Sequence, residues 1–212
     1  MAKSANKAKP SAKKSEGGNL PQVQIKSRDD LRAWLFRHHT QAGGIWLVIA
    51  KKVAGRTHVS YDAIVEEALC FGWIDSTPRK ADATRSKVLL SPRKTGSGWS
   101  KKNKRRIAKL TKAGLMAPHG VAKVEAAKLD GAWDKLNTVD KLSAPRDLSV
   151  ALHETPQAAA FFKKFPPSAR RAILEWIENA KQPATRQRRI AATARLAGQN
   201  IRANQHRQPK SR

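Results

Sequence analysis

The residues whose types and spacing point most directly to chemistry are the cations between positions 79 and 112. This stretch holds thirteen Lys and Arg residues and a single acid. If 101–113 forms a helix, Ile107 and Leu110 point to the core and the cations form a stripe along the outer side. Such a stripe can follow a phosphate backbone, and Trp99 at its head can stack on a base or sugar. We therefore predict a polyanion-binding face, which consists of Lys101, Lys102, Arg105, Lys109 and Lys112.

The alternative interpretation of these cations is a solvated surface on an unusually basic protein. The net charge is +27, from 43 Lys and Arg against 16 Asp and Glu, and it attracts anions of many kinds. Residues 1–21 hold five lysines and one acid, and residues 198–212 hold four cations and no acid. Most of the excess charge therefore lies between these terminal segments.

A second candidate site lies where the basic stretch meets aromatic residues. Gly72 ends a helix and turns the chain into Trp73, and a helix that begins after Ser100 offers its first amides to an anion. Asp75 is expected to orient an arginine by a bidentate contact. We predict a partly exposed cleft for a small anionic ligand, formed by Trp73, Asp75, Arg79, Arg93, Trp99, Asn103 and Arg106. The alternative is that these residues only hold a sheet to its helices.

Cys70, the single cysteine, is the one obvious candidate nucleophile. A catalytic thiol needs a neighbour that lowers its pKa and access for a substrate. Its neighbours Leu69, Phe71 and Trp73 are typical of a core, so we predict that Cys70 is structural. Glu66 and Glu67 are adjacent and diverge by about 100° around a helix, so they do not form a paired-carboxylate site. We expect them to accept arginine partners or to remain solvated, and we predict no catalytic residue.

The six histidines show no spacing that is typical of a metal site. No pair of cysteines is available to hold zinc or to form a disulfide. We therefore expect no metal and no cofactor.

Hydrophobic periodicity predicts an α+β fold with a small antiparallel sheet in the first half. The continuous apolar run 45–50 indicates a buried strand, and 73–75 and 87–90 are short strand candidates. Helices are predicted after the capping pair Ser27 and Asp30 and after Ser60, where apolar residues recur at helical spacing. Two more helices are predicted over 101–113 and 118–129, each closed by glycine.

The C-terminal half is predicted to be helical and to pack on the sheet. A linker near 137–145 leads into it, and Thr155-Pro156, Pro167 and Pro183 are expected to begin three helices. We expect one domain made of 21–136 and 145–203, with basic tails at 1–20 and 204–212. Residues 1–20 contain too few apolar side chains to offset the entropy of ordering, so this tail is predicted to be disordered.

The sequence also carries expectations about location. A single cysteine fits a reducing compartment. Neither a secretory signal core nor a stretch of about 18 apolar residues is apparent. We therefore expect a cytoplasmic protein without a transmembrane segment.

Four blocks in order resemble the YdeI/OmpD-associated family, which is also called the bacteriocin-protection family. They are Glu66 to Asp75 (EEALCFGWID); Ser91-Pro92-Arg93 with Gly98-Trp99-Ser100, Asn103 and Arg106; Gly131-Ala132-Trp133; and Ala180 to Pro183 with Thr185, Arg186, Arg189 and Ile190. Leu90 and Ser76 depart from the family pattern, which often has an aromatic residue and glycine there. The resemblance implies a role in tolerance of antimicrobial stress and implies no catalytic residues.

We expect a non-catalytic member of this family that engages an anionic partner through its basic face. Two alternatives remain open. A nucleic-acid-binding protein in the strict sense would bind in a length-dependent and salt-sensitive manner. An enzyme or small-anion receptor using the Glu66 to Arg106 region would instead bind a small ligand saturably.

Overall fold

A computed structural model describes residues 20–52, 58–76 and 78–205. The predicted disorder of residues 1–20 concerns a segment that, up to residue 19, lies outside these described residues. The chain divides into two compact units, Met1–Arg93 and Lys94–Arg212. We call them the sheet unit and the helical unit.

The sheet unit holds five strands: β1 (Gln22–Gln24), β2 (Ile45–Ala50), β3 (Trp73–Asp75), β4 (Arg79–Lys80) and β5 (Arg85–Pro92). Their order is β1-β2-β5-β3, and β4 also pairs with β5. The α+β class is confirmed, and β5 pairs antiparallel with β2, β3 and β4 as expected. The sheet as a whole is nevertheless mixed, because β1 runs parallel to β2. A helix connects these two strands, and a crossover of that kind permits parallel pairing.

Two helices complete the described part of the sheet unit, α1 (Arg28–His38) and α2 (Tyr61–Cys70). Ser27 and Asp30 form the predicted capping box on α1, and Ser60 caps α2. Gly72 has a φ of 73°, a conformation that glycine adopts without strain, and it turns the chain from α2 directly into β3. This turn places the end of α2 beside the start of β3.

The helical unit begins with the two predicted helices, α3 (Lys101–Lys112) and α4 (Pro118–Leu129). The remaining helices are α5 (Asn137–Asp140), α6 (Arg146–Glu154), α7 (Ala158–Lys164), α8 (Pro167–Glu178) and α9 (Pro183–Gly198). Apolar side chains between Leu136 and Ala203 form a common core, which includes Leu148, Phe162, Ile173 and Ile190.

Proline marks the start of α8 and α9 as predicted, but the expectation for Thr155-Pro156 is wrong. Thr155 ends α6, its side chain donating to the Ala151 carbonyl, and α7 begins only at Ala158. The predicted linker near 137–145 contains the short helix α5. Proline is favoured at a first helical position, but it also occurs soon after a helix ends, which is its role here.

Candidate functional site

Each unit holds part of the predicted cleft. Trp73, Asp75, Arg79 and Arg93 lie in the sheet unit. Trp99, Asn103 and Arg106 lie in the helical unit, together with the polyanion-binding face. The meeting of Trp73 with Trp99 stays a prediction.

The two carboxylates of the first block are ion-pair partners within the sheet unit. Glu67 is 2% exposed, and its two oxygens accept from Arg28 Nε at 2.7 Å and from Arg32 Nη1 at 2.9 Å. Glu66 accepts from Arg28 Nη1 at 3.1 Å. These contacts tie α1 to α2, which confirms that the adjacent carboxylates accept arginine partners.

Cys70 lies in the core directly after this ion-pair cluster. Burial raises the pKa of its thiol, and the negative charge of Glu67 acts in the same direction, while Arg32 opposes both. A raised pKa disfavours the thiolate, which is the reactive form. The environment is therefore that of a structural cysteine.

Trp73 is also a core residue, with an exposed fraction of 0%. Its indole N–H donates to the His39 carbonyl at 2.9 Å, and its ring packs edge-on against Trp34 at 5.8 Å between centroids. A buried indole that has a hydrogen-bond acceptor is fully satisfied. Within the sheet unit, Trp73 positions α1 against the start of β3.

The predicted cations of the sheet unit are held by packing. Arg93 is 4% exposed, and burial lowers the pKa of its guanidinium to about 10, although the charge of Asp75 acts in the opposite direction. The Tyr61 hydroxyl donates to the Asp75 carboxylate. Arg79 is exposed, but its guanidinium lies 5.3 Å from the Trp46 ring centre. Lys87 lies over the same ring at 4.6 Å. Such cation–π contacts contribute about 0.5–1 kcal/mol at exposed sites.

Trp99 is buried in the helical unit, with 1% of its surface exposed, and packs on Trp133 at 5.2 Å between centroids. The preceding Gly98 is required by packing, because a Cβ there would lie 2.7 Å from Cγ of Leu136. Trp99 therefore anchors the segment before α3, rather than presenting an open ring to a base.

The N-terminus of α3 already binds an anion, but the anion belongs to the protein. The amide of Lys101 donates to Asp140 Oδ2 at 2.7 Å, and Ser100 Oγ accepts from the Asn103 amide at 3.3 Å. Arg171 Nε donates to the other oxygen of Asp140 at 3.1 Å. A carboxylate at this position is favoured by the helix dipole. Sequence reasoning missed Asp140, because no local pattern links it to a helix that starts 39 residues earlier.

Asn103 and Arg106 contact each other on α3, with Arg106 Nη1 donating to Asn103 Oδ1 at 2.8 Å. Both side chains are partly buried. This pair is local to one helix turn, so it restrains the Arg106 guanidinium.

The helical periodicity predicted for α3 is confirmed, while binding of a polyanion to its outer side stays a prediction. Ile107 and Leu110 are buried, and the five residues of the polyanion-binding face are all exposed. Seven of the twelve residues of α3 are Lys or Arg and none is acidic. The helix therefore presents a continuous band of positive charge.

Among the residues that the structure describes, no cluster of three or more His, Cys, Asp or Glu side chains could hold a metal ion. None of the described helices is long and apolar enough to cross a membrane.

Two family models match the chain, and they match different parts of it. Residues 141–200 match the family described as bacteriocin-protection, YdeI or OmpD-associated. Residues 23–123 match a domain of unknown function, DUF8412. The resemblance seen in the sequence is thus confirmed for 141–200, which contains the block around Ala180 to Ile190. The blocks at 66–75 and 91–106 lie within the second match. No curated protein and no solved structure matched the chain.

Proposed function

We propose that this chain is a non-catalytic, cytoplasmic protein that contributes to antimicrobial stress tolerance and binds a polyanionic partner through α3. The link to stress tolerance rests on residues 141–200, which match the bacteriocin-protection, YdeI or OmpD-associated family. The observation that carries the proposal is the polyanion-binding face itself. It presents five exposed cations on a helix that contains no acid, so neighbouring acids on the same helix do not compete with an incoming anion.

The geometry of α3 supports an extended partner rather than a point-like one. Residues four apart on a helix rise about 6 Å and share a side, so Lys101, Arg105 and Lys109 form a row about 12 Å long. A row of this kind matches a linear array of phosphates or sulfates better than it matches a single small anion. Nucleic acid is the most abundant polymer with such an array, and each phosphate contact releases counterions.

Two observations support the non-catalytic part of the proposal. The raised pKa of Cys70 leaves its thiol protonated at neutral pH. Glu67 is occupied by two guanidinium groups. The cytoplasmic part is supported by the single, buried cysteine, which requires no oxidising compartment. Cell fractionation with an antibody tests the location, and recovery of the protein in the periplasm would contradict it.

Binding of the full chain to duplex DNA and to heparin at low salt tests the polyanion partner. The decisive variant reverses three charges of the row, Lys101→Glu, Arg105→Glu and Lys109→Glu. A matched control reverses three exposed cations elsewhere in the helical unit, Lys163→Glu, Lys164→Glu and Lys181→Glu, and thus has the same net charge. A second comparison removes residues 1–19 and 206–212.

We expect the α3 variant to weaken binding at least about tenfold, because it replaces three attractive contacts by three repulsive ones. The control reversal and the removal of the termini should each weaken binding by less than about threefold. An equal loss in all three proteins would mean that net charge alone attracts the polymer, and the assignment to α3 would be wrong. In the host, the intact chain but not the α3 variant should restore antimicrobial tolerance to a deletion strain.

A further inference from the structure

A groove of about 510 Å³ lies between α3, the connection 113–117 and α4. All its lining residues belong to the helical unit. Its floor is apolar and is formed mainly by Ile107, Met116, Val121 and Val124. The volume lies within the range of sites that take small organic ligands, which is about 300–1,000 Å³.

The groove retains apolar surface that the fold does not cover. Val121 is 37% exposed, although it lines the groove beside the buried Ile107 and Val124. Burial of such surface on binding contributes about 25 cal/mol for each Å². An occupant with an apolar body is therefore favoured over water.

The edge of the groove is positively charged. Lys104, Lys112 and Lys128 line it, against a single carboxylate, Glu125. An apolar floor with a cationic edge complements a molecule that has an apolar body and one negative group. A neutral apolar molecule would make no use of these ammonium groups, and a polyphosphate would leave the floor uncovered.

The surroundings of Trp133 are the part of the groove best suited to the negative group of such a ligand. Two ammonium groups flank its ring, Lys104 Nζ at 5.2 Å and Lys128 Nζ at 5.7 Å from the ring centre. Lys104 is held in place by Asn137 Oδ1 at 2.7 Å and Asp134 Oδ1 at 3.2 Å. One cation is thus fixed, while Lys128 is exposed and adjustable. A carboxylate or sulfonate beside the ring would gain a charge-assisted contact with the adjustable Lys128.

We propose that this groove is a binding site for a small amphipathic anion, with an aromatic or short aliphatic body on the floor of the groove and one carboxylate or sulfonate beside Trp133. The site is distinct from the polyanion-binding face, with which it shares only Lys112. Its ligand is a monoanion with a hydrophobic body, whereas the face requires an extended array of charges.

Fluorescence titration of the full chain with anilinonaphthalene sulfonate tests the proposal, because this probe has an aromatic body and one sulfonate. Its uncharged relative, N-phenylnaphthylamine, isolates the contribution of the negative group. Three variants are compared: Ala108→Trp, which fills the groove from an exposed helix position; Lys128→Gln, which removes the adjustable cation; and Lys109→Gln, an exposed cation of α3 that does not line the groove. Circular dichroism verifies that each variant is folded.

We expect saturable binding of one probe per chain. Ala108→Trp should lower the affinity for both probes at least tenfold. Lys128→Gln should weaken the sulfonate about fivefold, the effect of one nearby charge in a largely aqueous setting, and should leave the uncharged probe unchanged. Lys109→Gln should leave the affinity for both probes unchanged, although it should weaken heparin binding if the proposed function is correct.

Other outcomes would overturn the proposal. If Ala108→Trp leaves the sulfonate bound as tightly as before, the probe binds elsewhere and the groove is not its site. If Lys128→Gln weakens both probes equally, the negative group is not recognised. Self-association of the chain that Ala108→Trp abolishes would assign the groove to a second copy. Failure of heparin binding with intact probe binding would remove the proposed function and leave this site in place.

Discussion

The basic stretch 79–112 is continuous in sequence, yet the two units use their parts of it differently. In the sheet unit the cations are held against other groups: Arg79 and Lys87 lie over Trp46, Arg85 pairs with Asp82 at 2.6 Å, and Arg93 is buried. In the helical unit, the five exposed cations of the polyanion-binding face lie on a helix that contains no acid. Charge density in a sequence therefore indicates attraction of anions in general. The neighbouring acids and aromatic rings decide which of the cations can bind a partner.

The largest effect should follow from breaking the ion pairs of the buried Glu67 in the sheet unit. Glu67→Gln keeps the shape of the side chain but removes the charge that two arginines contact. Because Glu67 is buried while its partners are about one third exposed, we expect the free energy of unfolding to fall by roughly 2–3 kcal/mol. Urea unfolding measures this change.

Glu66→Gln is the matched control, since Glu66 is adjacent, is more exposed than Glu67 and pairs with Arg28 at 3.1 Å. We expect it to lower the free energy of unfolding by less than about 1 kcal/mol. An equal effect of both substitutions would show that the buried position of Glu67 confers no special role.

A smaller effect should follow at the start of α3. Asp140→Asn keeps an oxygen for the Lys101 amide but removes the charge that interacts with the helix dipole and with Arg171. We expect a loss of about 1–2 kcal/mol in urea unfolding. Glu154→Gln, which neutralises an exposed acid at the last residue of α6, should cost nothing measurable. If Asp140→Asn leaves the free energy of unfolding unchanged, α3 does not need this carboxylate.

The sequence predicted elements whose signals are local and strong. The helices α2 and α3 have capping serines, glycines after their ends and apolar residues at helical spacing, and both were found where expected. The parallel pairing of β1 with β2 was not predicted, because Gln22–Gln24 is short and its pairing depends on a crossover. Thr155-Pro156 was misread, because proline follows helix ends as well as beginning helices.

The surroundings of the candidate site residues were predicted less well than the fold, because they depend on contacts that are distant in sequence. The exposed cations of α3 follow from helical periodicity alone. The contact partners of Trp73, Trp99 and Lys101 do not follow from periodicity. These partners are His39, Trp133 and Asp140, respectively, and each lies more than 30 residues away in sequence. Tertiary contacts of this kind leave no signal in a single sequence.

The smallest effect is expected at Cys70. Cys70→Ser or Cys70→Ala should leave polyanion binding unchanged, with at most a packing cost on stability, because the thiol is buried in the core of the sheet unit. Heparin affinity of the purified variant measures this. A folded Cys70→Ser variant that has lost binding would contradict it.

The pH dependence of stability provides an independent test of the Cys70 environment. The pKa of the buried thiol is raised above 9.0, so below about pH 9 the thiol is protonated in both the folded and the unfolded state. Above that pH the unfolded state loses its proton first, and the free energy of unfolding of the native protein should fall. Cys70→Ala lacks this contribution, so the difference in the free energy of unfolding between the two proteins should shift in favour of the variant as the pH rises. Parallel pH profiles would contradict the raised pKa.

Polyanion binding by α3 is tested most directly by the slope of DNA affinity against salt concentration, measured on a logarithmic scale for two triple variants. Lys101→Gln, Arg105→Gln and Lys109→Gln neutralise the row on α3, whereas Arg79→Gln, Lys80→Gln and Arg85→Gln neutralise three exposed cations of the sheet unit. Each lost phosphate contact lowers the slope by about 0.9. We expect a slope shallower by about 2 to 3 for the α3 variant and nearly unchanged for the sheet variant. Equal changes in the two slopes would contradict the assignment of polyanion binding to α3.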